Sequence, residues 1–328
     1  MMRSKGVRVA LATIMSGLML GAGAAAVAQE TNYPNRPVVL TVPFAPGGGV
    51  DVVARMLSTG LAREFGQPVV VENRPGASGS IAARYVSRAK PDGYTLMLGN
   101  SNTFYVNDIL MAEEQPDLPA AGAVGWFPYI LVVSASSPVN SLQDLIDLAK
   151  SRKGGLNYST PGVGTPHHLA METLKYRAGI ELTHVPYNGA APAVSDLMAG
   201  HVDAMFIDYP AGKGFLQGGK LKALGVGNRE RSELLPDVPT LREQGVADFE
   251  VIGWLGLAQP EGVPEAISKK IAEALSASLA TPALREQLLN NVGMEPAPKQ
   301  TPEELARFLE SQRTSAKTVI ENQKITLN

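Results

Sequence analysis

The chain has 328 residues, of which 45% are hydrophobic and 18% charged, and its formal net charge is −2. This length suits two domains, and the apolar fraction is large enough to build cores, which excludes a disordered chain. Basic residues are spread singly through the body of the chain, so the concentrated basic surface of a nucleic-acid-binding protein is excluded. The sequence has no cysteine, which excludes disulfides, thiolate metal sites and cysteine nucleophiles.

The N-terminal segment has the pattern of a secretory signal peptide. A basic start is followed by an apolar stretch over residues 9–26, and Ala26-Val27-Ala28 supplies the small residues of a cleavage site. We therefore expect cleavage near Ala28, which makes residues 1–28 a signal peptide and the mature protein periplasmic. An uncleaved membrane anchor is the alternative, because the apolar stretch approaches the length that spans a bilayer.

Strands and helices alternate along the mature chain. A β-branched run at 38–42 predicts a buried strand, which ends in the glycine-rich turn Pro46–Gly49 and leads into a helix ending near Phe65. Further strands are predicted at 69–71, 94–98, 129–133, 183–186, 202–207, 221–226 and 254–258, and further helices at 81–89, 142–151, 191–199, 265–279, 282–291 and 302–320. This alternation predicts helices on the faces of a sheet. The acidic, alanine-rich segment 108–125 is predicted to be irregular.

The strand–turn–helix unit begins again at Leu156. Its turn is Gly162–Thr165, and a helix follows from Pro166 to about Arg177. We call Pro46–Gly49 glycine turn 1 and Gly162–Thr165 glycine turn 2. Each turn offers free backbone amides at the positive end of a helix, which suits an anion.

Several kinds of site are excluded by motif. Neither glycine turn matches a nucleotide-binding motif, so we expect no cofactor. His167 and His168 are adjacent on a helix and point in different directions, so they are not a metal pair. Asp51 opens the first helix, where a carboxylate interacts favourably with the helix dipole, and its direct contact with a ligand is the alternative. Thr165 is both a helix cap and a possible ligand contact.

A serine hydrolase is a second functional hypothesis. Ser78 lies between a predicted strand and a predicted helix, but the nucleophile elbow requires glycine at position 80, where this chain has serine. Asp208 ends a strand and either orients a ligand hydroxyl or ammonium group or fixes a loop. Tyr187 is the aromatic residue that best suits the wall of a cleft.

Six ordered motifs together resemble one family of proteins. They are YPNRPVVLTVPFAPGGGVDVVAR, GQPVVVENRPGASGS, KPDGYTLMLGN, LNYSTPGVGTPHHLA, HVPYNGAAPAVSDLMAGHVDAMFID and LPDVPTLREQG. The chain resembles the Bug-type substrate-binding proteins of tripartite tricarboxylate transporters from about Tyr33 to its C-terminus. It departs from the family pattern in segment 108–126 and at His167, which replaces a residue that is usually small.

The resemblance implies a receptor that binds small carboxylates largely through backbone amides. The matching positions on one side of the cleft are Phe44, Ala45, Pro46, Gly47, Gly48 and Asp51, and on the other Thr160, Gly162, Gly164, Thr165 and His168. Further contact positions implied by the family are Ser78 and Ser80, the Ser101–Asn102 turn, and Asp208.

The resemblance also implies an α/β fold of the two-domain periplasmic-binding-protein type (type II-like). Each domain is expected to be a mixed sheet flanked by helices, with the ligand cleft between the domains. Domain 1 is expected to hold residues 29–135 and 256–328, and domain 2 residues 136–255. We expect a monomer that delivers its ligand to a membrane permease, and a receptor that signals to a membrane sensor is the alternative. The ligand is left open among dicarboxylates, citrate-like acids, aromatic acids and acidic amino acids.

Overall fold

The computed structural model describes residues 33–47, 49–111, 116, 118–187 and 189–326. The predicted signal peptide and Gly48 of glycine turn 1 therefore lie outside the described residues. No helix in the described ranges has both the length and the apolar character needed to cross a membrane.

In the part of the chain that the structure describes, ten strands are connected mainly by helices. The strands are β1 (Val38–Val42), β2 (Val69–Asn73), β3 (Thr95–Gly99), β4 (Ala120–Ser134), β5 (Leu156–Thr160), β6 (Leu182–Pro186), β7 (Ala204–Asp208), β8 (Leu221–Val226), β9 (Ile252–Ala258) and β10 (Glu295–Pro296). The helices are α1 (Gly49–Phe65), α2 (Ser80–Ser87), α3 (Asn107–Leu110), α4 (Leu142–Ser151), α5 (Pro166–Ala178), α6 (Ala190–Ala199), α7 (Tyr209–Gln217), α8 (Glu265–Ala280), α9 (Pro282–Gln287) and α10 (Pro302–Asn322). A 3₁₀ turn spans Ala77–Gly79, and π-helical turns span Asn102–Val106 and Leu288–Val292.

The strands form one mixed sheet in the order β2-β1-β3-β9-β4-β7-β5-β6, with β8 and β10 paired to β4. Strand β1 is parallel to β2 and β3, and β5 is parallel to β6 and β7, as the alternation of strands and helices predicts. Strands β4 and β9 are antiparallel to their neighbours. Strand β6, which was predicted as a strand at 183–186, ends the sheet.

Strands β1 and β5 occupy equivalent places in the sheet. Strand β1 lies between β2 and β3, and β5 lies between β6 and β7. After each of the two strands the chain therefore forms a strand on one side and later returns to form one on the other side. Beyond the carboxyl ends of such strands the connections diverge and leave a crevice, where ligands bind in open α/β sheets. Glycine turns 1 and 2 follow β1 and β5, so both lie at these two points.

Strand β4 corrects the prediction for segment 108–125. The segment was expected to be irregular, yet β4 starts at Ala120 and pairs with β9 through two register shifts. No strand was predicted here because small residues predominate at the start of β4. The structure explains this composition. A Cβ at Gly125 would lie 2.7 Å from the Glu295 carbonyl oxygen of β10, so this part of the strand is restricted to small residues by its neighbours.

Two main hydrophobic cores lie along the sheet. Core A is built by β1, α1, β3, β9 and the helices α8 and α9, with Leu40, Leu57 and Ile271 among its buried side chains. Core B is built by the second part of β4, α4, β5, α5 and β7, with Tyr158 and Phe206 at its centre. A third cluster around Trp254 includes residues of the first π-helical turn, α10 and α5, so it joins the two regions.

The crossing of β4 and β9 provides a test of the fold. A Cβ at Gly253 would overlap the ring of Phe127 on the paired strand, so Gly253→Ala should destabilise the protein by about 1–3 kcal/mol through overpacking. Urea unfolding of the mature chain measures the change. Gly214→Ala is the matched control, because a Cβ there meets no atom within 4 Å and alanine suits a helix interior. An equal unfolding midpoint for the two variants would contradict the observed packing.

Candidate functional site

Glycine turn 1 is shaped by a buried carboxylate. Gly47 has a φ of 83°, a left-handed conformation that favours glycine, and its amide donates to Oδ2 of Asp51 at 3.0 Å. The Gly47 amide is therefore taken by the protein itself. The first-turn amides of α1 have no partner within the helix, as at any helix start, and these remain for an anion.

Asp51 is fully paired and contributes no free charge to the turn. Its carboxylate accepts from Arg55 at 2.9 and 3.0 Å and from Nδ2 of Asn73 at 2.8 Å, and the residue is 2% exposed. The Arg55 hydrogen bonds, with those of Gly47 and Asn73, lower the pKa of Asp51 to about 2. Asn73 also donates to the Phe44 carbonyl at 3.0 Å. The structure thus gives Asp51 a positioning role in glycine turn 1.

Glycine turn 2 is held by hydroxyl groups at both ends. Thr160, the last residue of β5, is fully buried, and its Oγ1 accepts from the Gly162 amide at 3.2 Å. The Thr165 hydroxyl donates to the Gly162 carbonyl at 2.8 Å and accepts from the His168 amide, which caps α5. These bonds close the turn on itself, and its residues are half-buried except for the buried Gly164.

Two stacked imidazole rings lie beneath glycine turn 2. The rings of His168 and His184 are 4.0 Å apart, and His184 Nε2 lies 2.7 Å from Thr160 Oγ1. His168 Nδ1 accepts the Gly164 amide at 3.1 Å. This nitrogen must be unprotonated to accept, and burial together with the neighbouring His184 and Lys175 lowers the pKa of His168 to about 3.

A charged pair on α5 completes this support. Glu172 lies 3.9 Å from His168 Nε2, the nitrogen that carries the proton when Nδ1 accepts. Lys175 donates to both Glu172 oxygens at 2.8 and 2.9 Å, and the Tyr158 hydroxyl also donates to Glu172. Glu172 thereby favours the tautomer of His168 that the Gly164 amide requires.

Two amides of glycine turn 2 are left over. The amides of Gly162 and Gly164 are used internally, whereas those of Val163 and Thr165 donate to no group in the described part of the chain. They lie at the N-terminus of α5, where the helix dipole favours a negative charge.

The two turns are connected through the segment after β3. Asn102 is 7% exposed, and its Nδ2 donates to the Gly164 carbonyl of glycine turn 2 at 3.5 Å. A Cβ at Gly79 would lie 2.6 Å from Thr103 and 3.2 Å from Pro43, so the 76–80 loop packs between this segment and Pro43, which directly follows β1 and precedes glycine turn 1. Residues of both turns, the 76–80 loop and Asn102 therefore lie in one region.

His167 and Asp208 form a hydrogen-bonded pair next to glycine turn 2. His167 Nε2 is 3.0 Å from Oδ2 of Asp208, whose Oδ1 accepts from the Ala211 amide and caps α7. Burial raises the pKa of Asp208, but the hydrogen bonds from His167 and from the Ala211 amide offset it, so that the pKa is below its ordinary value. His167 and His168 point to different partners, in agreement with their adjacent positions on a helix.

The remaining residues that were predicted to contact a ligand differ in their exposure to solvent. Ala45, Pro46 and Ser78 are exposed, and Ser101 is half-buried. Ser80 is fully buried, and its hydroxyl contacts Asn107 at 3.0 Å and the Met111 sulfur. The Tyr187 hydroxyl donates to Asp196 at 2.6 Å, so its polar end is already paired.

The hydrolase hypothesis requires a histidine beside Ser78, and the four histidines are engaged elsewhere. His167 contacts Asp208, His168 the Gly164 amide, His184 Thr160, and His201 Asp196. Ser78 has a φ of 51° in the 3₁₀ turn, and its carbonyl accepts from Asn107. Among the described residues, no group of three or more His, Asp or Glu side chains is placed to hold a metal ion.

Sequence reasoning missed several supporting residues. Glu172 and Lys175 are spaced at i+4 and i+7 from His168, so the helix period could have placed all three on one face. Asn73, Asn107 and His184 gave no such signal, because they come from other strands and helices.

Comparisons with known proteins agree on one family. Residues 53–325 match the model described as tripartite tricarboxylate transporter family receptor. A UPF0065 protein of Bordetella pertussis is 35% identical over 302 residues, covering 91% of this chain and 93% of that protein. Protein BugT of the same organism is 35% identical over 281 residues, with 80% and 86% covered.

Solved structures show the same fold. The periplasmic binding protein BugD is 32% identical with a TM-score of 0.75, covering 90% of this chain and 99% of its own. A Rhodopseudomonas palustris protein with adipate has a TM-score of 0.79 at 32% identity, with 90% and 99% covered. MatC from Rhodopseudomonas palustris with bound malate has a TM-score of 0.75 at 32% identity, with 88% and 100% covered. The mixed α/β periplasmic-binding-protein fold predicted from the sequence is thus confirmed.

Asp51 should give a pH-dependent contribution to stability. Its folded pKa of about 2 lies below the ordinary 3.8, so the folded state binds the proton more weakly than the unfolded state. The stabilisation is therefore present above pH 3.8 and is lost as the pH falls toward 2. Asp51→Asn should lower the free energy of unfolding by about 2 kcal/mol at pH 7, and its deficit relative to wild type should shrink below pH 4. Urea unfolding across pH checks this against Asp237→Asn, which removes an exposed carboxylate, and a deficit that does not change with pH would refute it.

His168 should control the affinity of glycine turn 2 for an anion. His168→Phe keeps a ring against His184 but loses the acceptor for the Gly164 amide, so we expect affinity to fall by about 10-fold. His168→Asn places an acceptor near the position of Nδ1 and should recover part of the loss. Calorimetry with a bound anion measures both, and equal affinities for the two variants would exclude this positioning role.

Proposed function

The chain belongs to the tripartite tricarboxylate transporter receptor family, a family of periplasmic solute receptors, and from this premise we propose that it captures a small carboxylate through backbone amides of its two glycine turns. The observation that carries the proposal is the pair of unpaired amides at Val163 and Thr165. They lie at a helix N-terminus, on a turn whose other amides are fixed internally. Such rigid donors bind a carboxylate without having to be ordered first.

Relatives support the ligand class. One neighbouring structure contains adipate and another contains malate, both of which are dicarboxylates. We assign direct contact with the ligand to the amides of both glycine turns, Ser78, Ser101, Asn102 and the Asp208 region. The internal hydrogen bonds of Asp51, Ser80, Thr160 and His168 favour a supporting role for these four residues.

The ligand is proposed to bind between two domains. Cores A and B support a division of the chain, and the side chains of Tyr129, Leu131 and Val133 pack in core B. We propose that the chain crosses between the domains along β4 and β9, with domain 1 holding residues 29–135 and 256–328 and domain 2 residues 136–255. Closure of the two domains around the ligand is a hinge motion about these strands.

We further propose that the protein is exported by residues 1–28, acts as a monomer and delivers its ligand to a tripartite tricarboxylate-type permease without performing chemistry. The family supports the permease as partner. The engagement of all four histidines away from Ser78 supports transport over hydrolysis.

A thermal-shift screen of the mature protein tests the ligand class. The panel pairs small carboxylates with their amides, and an acid at 100 times its Kd should add about 2.7 kcal/mol of stability. Shifts with acids and not with amides are expected. Shifts with uncharged solutes alone would refute capture of a carboxylate.

A backbone substitution tests capture by amides. Val163→Pro removes one of the two unpaired donors, and because a hydrogen bond to a charged group is worth about 1.5–3 kcal/mol, affinity for the acid should fall by about 10-fold or more. Val163→Ala retains the amide and is the matched control. Urea unfolding of both variants separates loss of binding from loss of folding. Equal affinity of two folded variants would show that the ligand does not use this amide.

A further inference from the structure

His167 is fixed by its partner and by its neighbours. The ring donates through Nε2 to Asp208 at 3.0 Å and packs edge-on against Tyr129, with centroids 5.0 Å apart and an interplanar angle of 80°. Tyr129 and Asp208 are register partners on β4 and β7, so one point of the sheet supports both contacts. The His167 side chain is 11% exposed, and the ring has little freedom to turn.

The partners of the ring determine what its second nitrogen does. An ionised carboxylate only accepts, so the His167–Asp208 bond uses the proton on Nε2, and Nδ1 is the ring nitrogen that can offer a lone pair to another donor. Nδ1 is buried and has no hydrogen-bond partner in the described part of the chain. Buried polar atoms are normally paired, so an atom held in place without a partner points to a group that is supplied from outside the chain.

The location of His167 connects this atom with the ligand. It lies two residues after Thr165, whose amide is one of the two free donors, and it lies over the carboxyl end of β7 beside Asp208. A second unpaired acceptor is found at the same turn. Asn102 is 7% exposed and donates to the Gly164 carbonyl, while its Oδ1 has no partner within the described residues.

We propose that His167 is a specificity-determining residue, whose Nδ1 accepts a hydrogen bond from a hydroxyl or ammonium group of the bound carboxylate. This inference rests on the proposed function and narrows the ligand class to hydroxy- and amino-carboxylates. The short separation of His167 from glycine turn 2 favours a donor near the captured carboxylate over one at the end of a long chain.

The negative charge of Asp208 also favours a hydroxyl or ammonium group at His167. Asp208 keeps 21% of its side chain exposed and carries a negative charge beside His167. A second carboxylate placed against His167 would meet this charge and the Nδ1 lone pair, and both oppose it. A hydroxyl or ammonium group is attracted by both.

Matched pairs of acids test the proposal by calorimetry at pH 7.5. The pairs differ only in the donor: malate or aspartate against succinate, 2-hydroxyglutarate against glutarate, and lactate against propionate. In at least one pair the wild-type protein should bind the acid with the donor about 10-fold more tightly or better, since a site built to bind a hydroxyl rejects the analogue that lacks it. His167→Phe keeps a ring against Tyr129 and removes both nitrogens, so the ratio of the two Kd values should fall to about 1.

Two further variants sharpen the test. His167→Gln can reach Asp208 and retains an oxygen acceptor, so it should keep part of the preference. His201→Phe removes the exposed histidine that lies 3.3 Å from Asp196, a similar pair away from both glycine turns, and should keep the wild-type ratio. The ratio is independent of overall affinity, so a general loss of binding in His167→Phe does not imitate the expected result.

The outcomes separate the two proposals. Binding of acids with the same ratio in the wild type and in His167→Phe overturns the role of His167 and leaves capture of a carboxylate in place. Preference for the acid without the donor in every pair does the same. Failure of every acid to bind the wild-type protein overturns the proposed function and this inference with it.

Discussion

The hydrogen bond from the Gly164 amide to Nδ1 of His168 is the interaction on which the candidate site depends. It removes one amide of glycine turn 2 from the ligand and thereby fixes the directions of its neighbours. The imidazole can accept only while neutral, and its burial, the stacked His184 and the charge of Lys175 all keep it so. A preorganised turn binds an anion better than a mobile one, because no ordering cost is left at the moment of binding.

The two glycine turns solve one electrostatic problem in different ways. Glycine turn 1 contains a buried carboxylate, which would repel an anion if it were unpaired. Arg55 and Asn73 neutralise and saturate Asp51, so the carboxylate shapes the turn through the Gly47 amide without opposing the ligand. Glycine turn 2 is shaped by neutral groups alone, namely hydroxyls and an imidazole. Among the described residues of both turns, helix-terminal amides are thus the groups left for the anion that we propose to bind there.

In the proposed function, capture of a carboxylate and selection among acids are separable. Backbone amides recognise a carboxylate whatever chain it belongs to, so they suit a family whose members bind different acids. Selection among acids needs side chains that vary, and His167 with Asp208 lies beside the amides of glycine turn 2 without using them. Under the proposal, a change at position 167 alters which acid is bound and leaves the turn itself intact, because His168 and His184 support the turn without contacting His167.

The sequence by itself determined the local units. Hydrophobic periodicity and glycine placement predicted β1, β5 and the turns that follow them, and the long ordered motifs predicted the family and its fold. Helical geometry also predicted that His167 and His168 diverge. Only the tertiary structure decided which side chains form hydrogen bonds within the protein, because these bonds join residues that are far apart in the sequence. The pairs are Asn73–Asp51, Thr160–His184, His167–Asp208 and Asn102–Gly164, which are 22, 24, 41 and 62 positions apart. It also decided the start of β4, whose small residues are set by the crowding of neighbouring strands rather than by any strand propensity of their own.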